Sequence, residues 1–160
     1  MPIRPSTPAD HEAIWAILEP VFSAGESYAI DPDISREDAL DYWLGTDRES
    51  FVFEQDGAVL GTYYLRTNAG GGGSHVCNCG YITSPAAAGR GIARRMCLHS
   101  LDQARTRGYR AMQFNFVVAT NTRAIDLWET LGFATVGTLP GAFNHPRHGM
   151  VDALVMYQSL

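Results

Sequence analysis

The chain lacks the features of several large protein classes. It has no run of about 18 apolar residues, so no membrane-spanning segment is expected. The N-terminus, Met1-Pro2-Ile3-Arg4-Pro5, carries no apolar signal-peptide stretch. It has no dense basic run, and the formal net charge is -5, which argues against phosphate-driven binding of nucleic acid. Cysteine is scarce: three in 160 residues, an odd number without framework spacing. A reducing, cytoplasmic setting is therefore expected. Cys77 and Cys79 share one face of a strand-like stretch and read as small buried hydrophobes. No further ligands stand at zinc-site spacing, so no metal is expected. What remains, 46% hydrophobic and 18% charged residues, is a folded globular composition, expected to form a single domain over residues 1–160.

The periodicity gives the order β-α-α-β-β-β-α-β-α-β-β, a mixed α/β chain without internal repeats. A short strand at Ile3 precedes Thr7-Pro8-Ala9-Asp10, which opens a helix with Ile14, Ile17, Leu18, Val21 and Phe22 on one face. Pro20 distorts that helix, or it ends near Ala24-Gly25. Glu26 to Pro32 reads as a loop, and Ser35 caps a second helix bearing Ala39, Leu40, Trp43 and Leu44. Strands 51–54 and 58–65 flank the turn Gln55-Asp56-Gly57. Asn68 to Ser74, with glycines 70–73, reads as a flexible connector. A strand over 75–83 leads through Pro85 into a long helix ending at Gly108. A strand over 109–118, a helix over 121–131, and strands 134–137 and 151–157 complete the chain. The segment Asn144-His145-Pro146-Arg147-His148 reads as a polar surface loop.

The stretch Ala88-Gly89-Arg90-Gly91-Ile92-Ala93 carries the chemistry. Two glycines open a helix there, and a helix start offers unpaired N–H groups and partial positive charge. Without Cβ atoms in the way, a phosphate approaches those groups closely. Arg90, Arg94 and Arg95 add charge. The pattern points to a diphosphate site. A Walker loop is excluded because Gly91 is followed by Ile92 and Ala93 rather than Lys and Ser or Thr. A dinucleotide fingerprint does not fit a motif past mid-chain behind an antiparallel strand set.

This segment resembles the acetyl-CoA signature Q/R-x-x-G-x-G/A of the GNAT N-acetyltransferases, with Ala88 in place of Gln or Arg. Asn121-Thr122-Arg123-Ala124-Ile125-Asp126-Leu127-Trp128-Glu129-Thr130-Leu131-Gly132-Phe133 is similar to the family's N-x-x-A-x-x-L-Y-x-x-x-G-F. The resemblance covers nearly the whole chain. It implies a GNAT fold: α/β, with a mostly antiparallel mixed central sheet, splayed between the fourth and fifth strands and flanked by helices. It also implies acetyl-CoA as co-substrate, held by Ile82, Thr83, Ala88, Gly89, Arg90, Gly91, Ile92, Ala93, Arg94 and Asn121. A backbone N–H near Ile82 and Thr83 would stabilise the oxyanion.

The resemblance further implies direct attack of an amine on the thioester. Trp128 stands where many members carry an acidic Tyr, and indole is no acid. Asn121, water or no dedicated acid then serves the thiolate. Asn78 and Asn115 take the strand positions of an expected carboxylate. Such amides hold a substrate carboxylate or carbonyl, or are satisfied buried groups. Glu26 is the candidate base, with His75 behind it, and Tyr28 lies in the same acceptor-binding loop. The asparagine pattern is similar to a subgroup acting on cyclic imino acids and small amines. The expected function is acetyl transfer to a small-molecule amine. Acetylation of a protein amine, or acyl-CoA binding without turnover, are the alternatives. A homodimer is compatible with the sequence.

Overall fold

The computed structural model describes residues 2–160. The elements in chain order are β1 (Ile3–Pro5), α1 (His11–Ala24), α2 (Arg36–Trp43), β2 (Arg48–Gln55), β3 (Ala58–Thr67), β4 (Val76–Thr83), α3 (Ile92–Thr106), β5 (Ala111–Val118), α4 (Thr122–Thr130), β6 (Ala134–His145) and β7 (Gly149–Ser159). They build one seven-stranded sheet in the order β1-β2-β3-β4-β5-β7-β6. Every neighbouring pair is antiparallel except β4 and β5, which run parallel. The expected element order and sheet type are both present. No helix among the described residues is long and apolar enough to cross a membrane.

Local chemistry sets most of these boundaries. Thr7 N–H donates to the Asp10 carboxylate at 2.7 Å and fixes the chain ahead of α1. Pro20 sits inside α1 on an exposed position, and the helix runs on to Gly25, whose left-handed φ of 65° ends it. Ser35 caps α2 by accepting from Asp38 N–H at 3.1 Å. Asp56 and Gly57 both take positive φ, 53° and 78°, the backbone of a type I′ turn matched to strand twist. The glycine connector forms a short 3-10 turn, with Gly73 N–H bonded to Gly70 O at 3.0 Å.

The last hairpin departs from expectation. β6 runs to His145 and β7 starts at Gly149, so Asn144 and His145 are strand residues rather than a surface loop. His145 is buried at 4% exposure. The reason lies in β6 itself, which is mostly exposed, carries Pro140 and shifts register between Leu139 and Phe143. An outer strand with a proline and a bulge shows little apolar alternation.

Alternation on β2 to β4 divides the core. Phe51, Phe53, Tyr63, Leu65 and Cys79 pack with α3, while Val52, Tyr64 and Ile82 pack with α1 and α2. Trp43 donates its indole N–H to the buried Thr62 hydroxyl at 3.0 Å, and that hydroxyl donates to Phe51 O at 2.9 Å. Gly80 on β4 gives Tyr64 its place. A Cβ there would stand 2.6 Å from Tyr64 Cε2, and the Tyr64 ring is held edge-on against Trp43 at 4.9 Å. Gly80→Ala is expected to cost about 1–3 kcal/mol of overpacking strain, read as a Tm fall of several degrees by calorimetry. An unchanged Tm would mean the ring is free to yield.

Candidate functional site

The site begins where β4 and β5 stop pairing. Their ladder contains Val76–Ala111 and Cys77–Met112 and goes no further. At the next residue the Asn78 side chain takes over, donating from Nδ2 to Gln113 O at 2.9 Å. Beyond it, aromatic rings fill the angle: Tyr81 lies 5.8 Å from Phe114 and 5.1 Å from Trp128, centroid to centroid. β5 also bulges against β7 between Phe114 and Val117, which bends it away from β4.

The parting leaves backbone groups of β4 without strand partners. Ser84 N–H donates to Leu60 O, and Asn68 N–H donates to Val76 O. Hydrogen-bonded pairs alternate along an antiparallel ladder, so with the observed register Asn78, Gly80 and Ile82 exchange their bonds with β3. Tyr81 and Thr83 therefore turn their N–H and C=O groups toward the gap. Of the two residues expected to offer backbone contacts, Thr83 faces the gap and Ile82 exchanges its bonds with β3, though both line the cleft. Tyr28 reaches in from the α1–α2 loop and donates its hydroxyl to Tyr81 O at 3.0 Å. Burial raises the Tyr28 hydroxyl pKa, so it stays a neutral donor. The Thr83 hydroxyl is buried and has no partner, a costly state for a polar group unless a ligand completes it.

A cleft of about 720 Å³ runs from this gap to the start of α3. At the α3 end, Gly89 and Gly91 have φ of 79° and 73°, and a Cβ on Gly91 would face open space. The first helical bond runs from Arg95 N–H to Gly91 O at 3.1 Å, which leaves the N–H groups of Ile92, Ala93 and Arg94 without an acceptor in the helix. Ala88, Gly89, Gly91, Ile92, Ala93 and Arg94 all line the cleft. Arg90 does not: it is exposed, with Nη2 at 3.3 Å from Gln55 Oε1. Arg95 lies over the Phe53 ring at 4.8 Å. The second cation at this end is instead Arg123, which lines the cleft beside Gly89. It lies two residues past the α4 cap Asn121, and only the approach of α4 to the gap reveals it. Asn121 accepts Ala124 N–H on Oδ1 at 3.4 Å, while Nδ2 has no partner among the described residues.

At the opposite end the lining includes Ser27, Tyr28, Tyr42, Arg66, Asn78 and Asn115. Asn115 is tied to its neighbours, donating to Asn68 Oδ1 at 2.7 Å and accepting from Gln113 Nε2 at 2.8 Å. Arg66 and Tyr42 are unforeseen. Arg66 pairs across the ladder with Asn78, a register hidden in the sequence by the glycine connector. Glu26 is a correction: it is not among the lining residues, and its carboxylate pairs with Arg147 at 3.0 Å. His75 is likewise outside the lining. Among the described residues the lining holds no Asp, Glu or His. Its charged members are Arg66, Arg94 and Arg123.

The sequence profile of the acetyltransferase (GNAT) family matches residues 11–133. The chain is 30% identical over 148 residues to N-acetyltransferase aca1 of Schizosaccharomyces pombe, covering 82% of this chain and 71% of that protein. A GCN5-related N-acetyltransferase from Kribbella flavida superposes with a TM-score of 0.93 at 41% identity, over 99% of this chain and 96% of that one. A phosphinothricin acetyltransferase from Sinorhizobium meliloti, solved in complex with AcCoA, shares the fold with a TM-score of 0.85 at 21% identity. That match covers 99% of this chain and 87% of that one.

Cys79 also lines the cleft, so a nucleophilic thiol is the obvious alternative chemistry. All three cysteines are free and buried. Burial pushes Cys77 and Cys97 up to about 12 and raises Cys79 well above the ordinary thiol value. Reactivity follows the thiolate, so these buried thiols are expected to react slowly. A disulfide reagent at pH 8 is expected to titrate none of the three in the folded protein and all of them in guanidinium chloride. Rapid labelling of Cys79 in the native state would overturn this.

Proposed function

The chain belongs to the acetyltransferase (GNAT) family, and from that premise we propose that it transfers the acetyl group of acetyl-CoA to the amine of a small molecule by direct attack, residues 1–160 acting as one domain. One observation carries this reading: a single cleft joins a glycine-opened helix start, flanked by two arginines, to the gap between β4 and β5. The free N–H groups at the start of α3, with Arg94 and Arg123, suit a diphosphate. The unpaired N–H groups of Tyr81 and Thr83, together with the orphaned Thr83 hydroxyl, suit the amide-bearing arm and the thioester carbonyl. When bound, acetyl-CoA supplies that activated carbonyl.

What supports a small acceptor is the way that end is built. The α1–α2 loop and the β6–β7 tip meet through Glu26 and Arg147. The Phe116 ring in the cleft wall lies 6.1 Å from Phe143 of β6, edge to face. These contacts set the α1–α2 loop and the β6–β7 hairpin close beside that end of the cleft, which suits a compact molecule better than a protein segment. Cyclic imino acids and related amines fall within that class. Asn121 Nδ2 and Trp128 stand at the gap, one as a donor and the other as an apolar wall.

With no carboxylate or imidazole in the lining, the acceptor loses its proton to water before it attacks. The rate then depends on the fraction of free amine present. For acceptors of different basicity, log kcat/KM is expected to rise with slope about one up to each amine's own pKa. A break at one fixed pH for every acceptor would instead assign a base in the protein.

The cofactor reading has its own test. Acetyl-CoA at about 100 times its Kd is expected to add about 2.7 kcal/mol of stability, visible as a rise in Tm. Gly91→Glu is expected to abolish that rise, because it sets a bulky anion where the diphosphate belongs. Gly91→Ala controls for the strain of a left-handed backbone. The absence of any rise with the wild-type protein at millimolar acetyl-CoA would sink the proposal. A rise without thiol release across a broad amine panel would leave a binding module.

A further inference from the structure

We propose that Arg66 is the specificity-determining residue of the acceptor end, and that it docks a carboxylate carried by the acceptor itself. The acceptor is then a small amino or imino acid. This rests on the small-amine acetyltransferase reading and narrows it.

The argument starts from charge. Arg94 and Arg123 stand at the α3 end of the cleft, whereas Arg66 stands on the α1–α2 face of β3, level with Asn78. Its charge is poorly neutralised within the chain. The nearest carboxylate, Asp47 Oδ2, is 3.8 Å from Nη1, beyond hydrogen-bond reach. Asp47 is committed to Arg48, which donates to it from Nε at 2.9 Å and from Nη2 at 3.2 Å. Arg66 Nε is buried with no partner. A guanidinium that lines a cleft with a buried donor unused has paid part of its desolvation cost without a return bond.

The surroundings decide what completes it. Tyr42 and Tyr64 meet edge to face at 6.2 Å, and Arg48 lies over both rings, 4.7 Å from Tyr64. That stack fills the space beside Arg66 with phenol rings and a second cation. Asn78 adds an amide whose Oδ1 has no partner among the described residues. No anion of the chain enters the cleft. An acceptor bearing only an ammonium group meets the positive charge of Arg66 there, with Asp47 no nearer to the guanidinium than 3.8 Å. An acceptor that brings a carboxylate neutralises Arg66 and fills its planar fork with two parallel bonds. β3 and β4 are neighbours at the strand spacing of about 4.8 Å. Asn78, level with Arg66, is where the β4–β5 ladder ends. It lies about 10 Å along β4 from Tyr81 at the strand rise of about 3.3 Å per residue. The length of the Arg66 side chain and a compact acceptor together span that distance. A peptide N-terminus has an amide in place of that carboxylate and leaves the fork empty.

The test uses matched pairs: small amino and imino acids against their carboxamides, followed by thiol release from acetyl-CoA. The wild-type protein is expected to favour each acid over its amide by about tenfold to a hundredfold in kcat/KM, mainly through KM. Arg66→Gln is expected to remove most of that ratio, and Arg66→Lys to keep part of it. A residue that only supports the fold would lower acid and amide alike. The acetyl-CoA-induced rise in Tm shows that each variant is folded. A wild-type preference for the amides, or an acid-to-amide ratio unchanged in Arg66→Gln, overturns the proposal and leaves the acetyltransferase reading standing. If no amine is turned over while acetyl-CoA still raises Tm, the small-amine reading falls, and the role of Arg66 falls with it. The wild-type comparison alone decides against the proposal even where a variant fails to fold.

Discussion

The early end of the β4–β5 ladder is the constraint on which the site depends. Two parallel pairs hold the strands together at their start, and then Asn78 replaces the ladder with a side-chain bond to Gln113 O. A parallel pair bonds one strand to the other at regular intervals, so stopping it strands donors and acceptors on facing edges. Buried backbone groups are rarely left unpaired. Here they border a cleft, and a ligand with amides and a carbonyl can take the place of a strand. The aromatic wedge of Tyr81, Phe114 and Trp128 keeps the gap from closing. The wedge is also part of the core, with Phe133 stacked on Phe114 at 4.2 Å. Core packing and ligand access are thus one arrangement, and a change in one alters the other.

The charge pattern follows the same logic. The chain is acidic overall, yet the charged groups lining the cleft are all arginines. The only partner that Coulomb attraction favours inside is an anion. At the α3 end the helix start adds its own partial charge. At the other end Arg66 acts alone. In the proposed reaction the same distribution would leave proton removal to solvent. A carboxylate base placed among these arginines would be paired and held ionised at low pH, with little basicity left.

Much of this was legible in the sequence because it was local. The Asp10 carboxylate on Thr7 N–H, a helix-ending Gly25, the Asp56-Gly57 turn and the glycines before α3 each act within a few residues. The Thr7 side chain itself caps no backbone N–H. The parallel β4–β5 pair followed from a resemblance rather than from periodicity. What escaped was set by register and distance. Arg66 meets Asn78 only once the β3–β4 register is fixed, and Arg123 meets Gly89 only once α4 leans on the gap. Glu26 sat in the right loop, but which way a side chain points depends on Arg147, more than a hundred residues away. The long β6–β7 hairpin was hidden by a proline and two bulges in an exposed strand.

That hairpin stands beside the proposed acceptor end, which differs in kind from the proposed cofactor end. The proposed diphosphate cradle comes from one continuous segment, joined by Arg123. The proposed acceptor end is lined from the α1–α2 loop, α2, β3, β4 and β5, regions far apart in the chain, with the β6–β7 tip beside it. The visible link between loop and tip is the Glu26–Arg147 pair, with side chains 41% and 68% exposed. An ion pair that open contributes about 0–1 kcal/mol, too little to hold the tip by itself. The firmer hold comes from inside the hairpin. Phe143 and His145 are buried, and His145 Nδ1 accepts from the backbone N–H groups of Arg147 and His148 at 3.1 and 3.3 Å. The tip is therefore shaped by its own hydrogen bonds and its apolar seat, and only loosely latched to the loop it faces. An acceptor end made this way can change its occupant by altering one of several remote segments, while the proposed local cradle for the acetyl donor stays as it is.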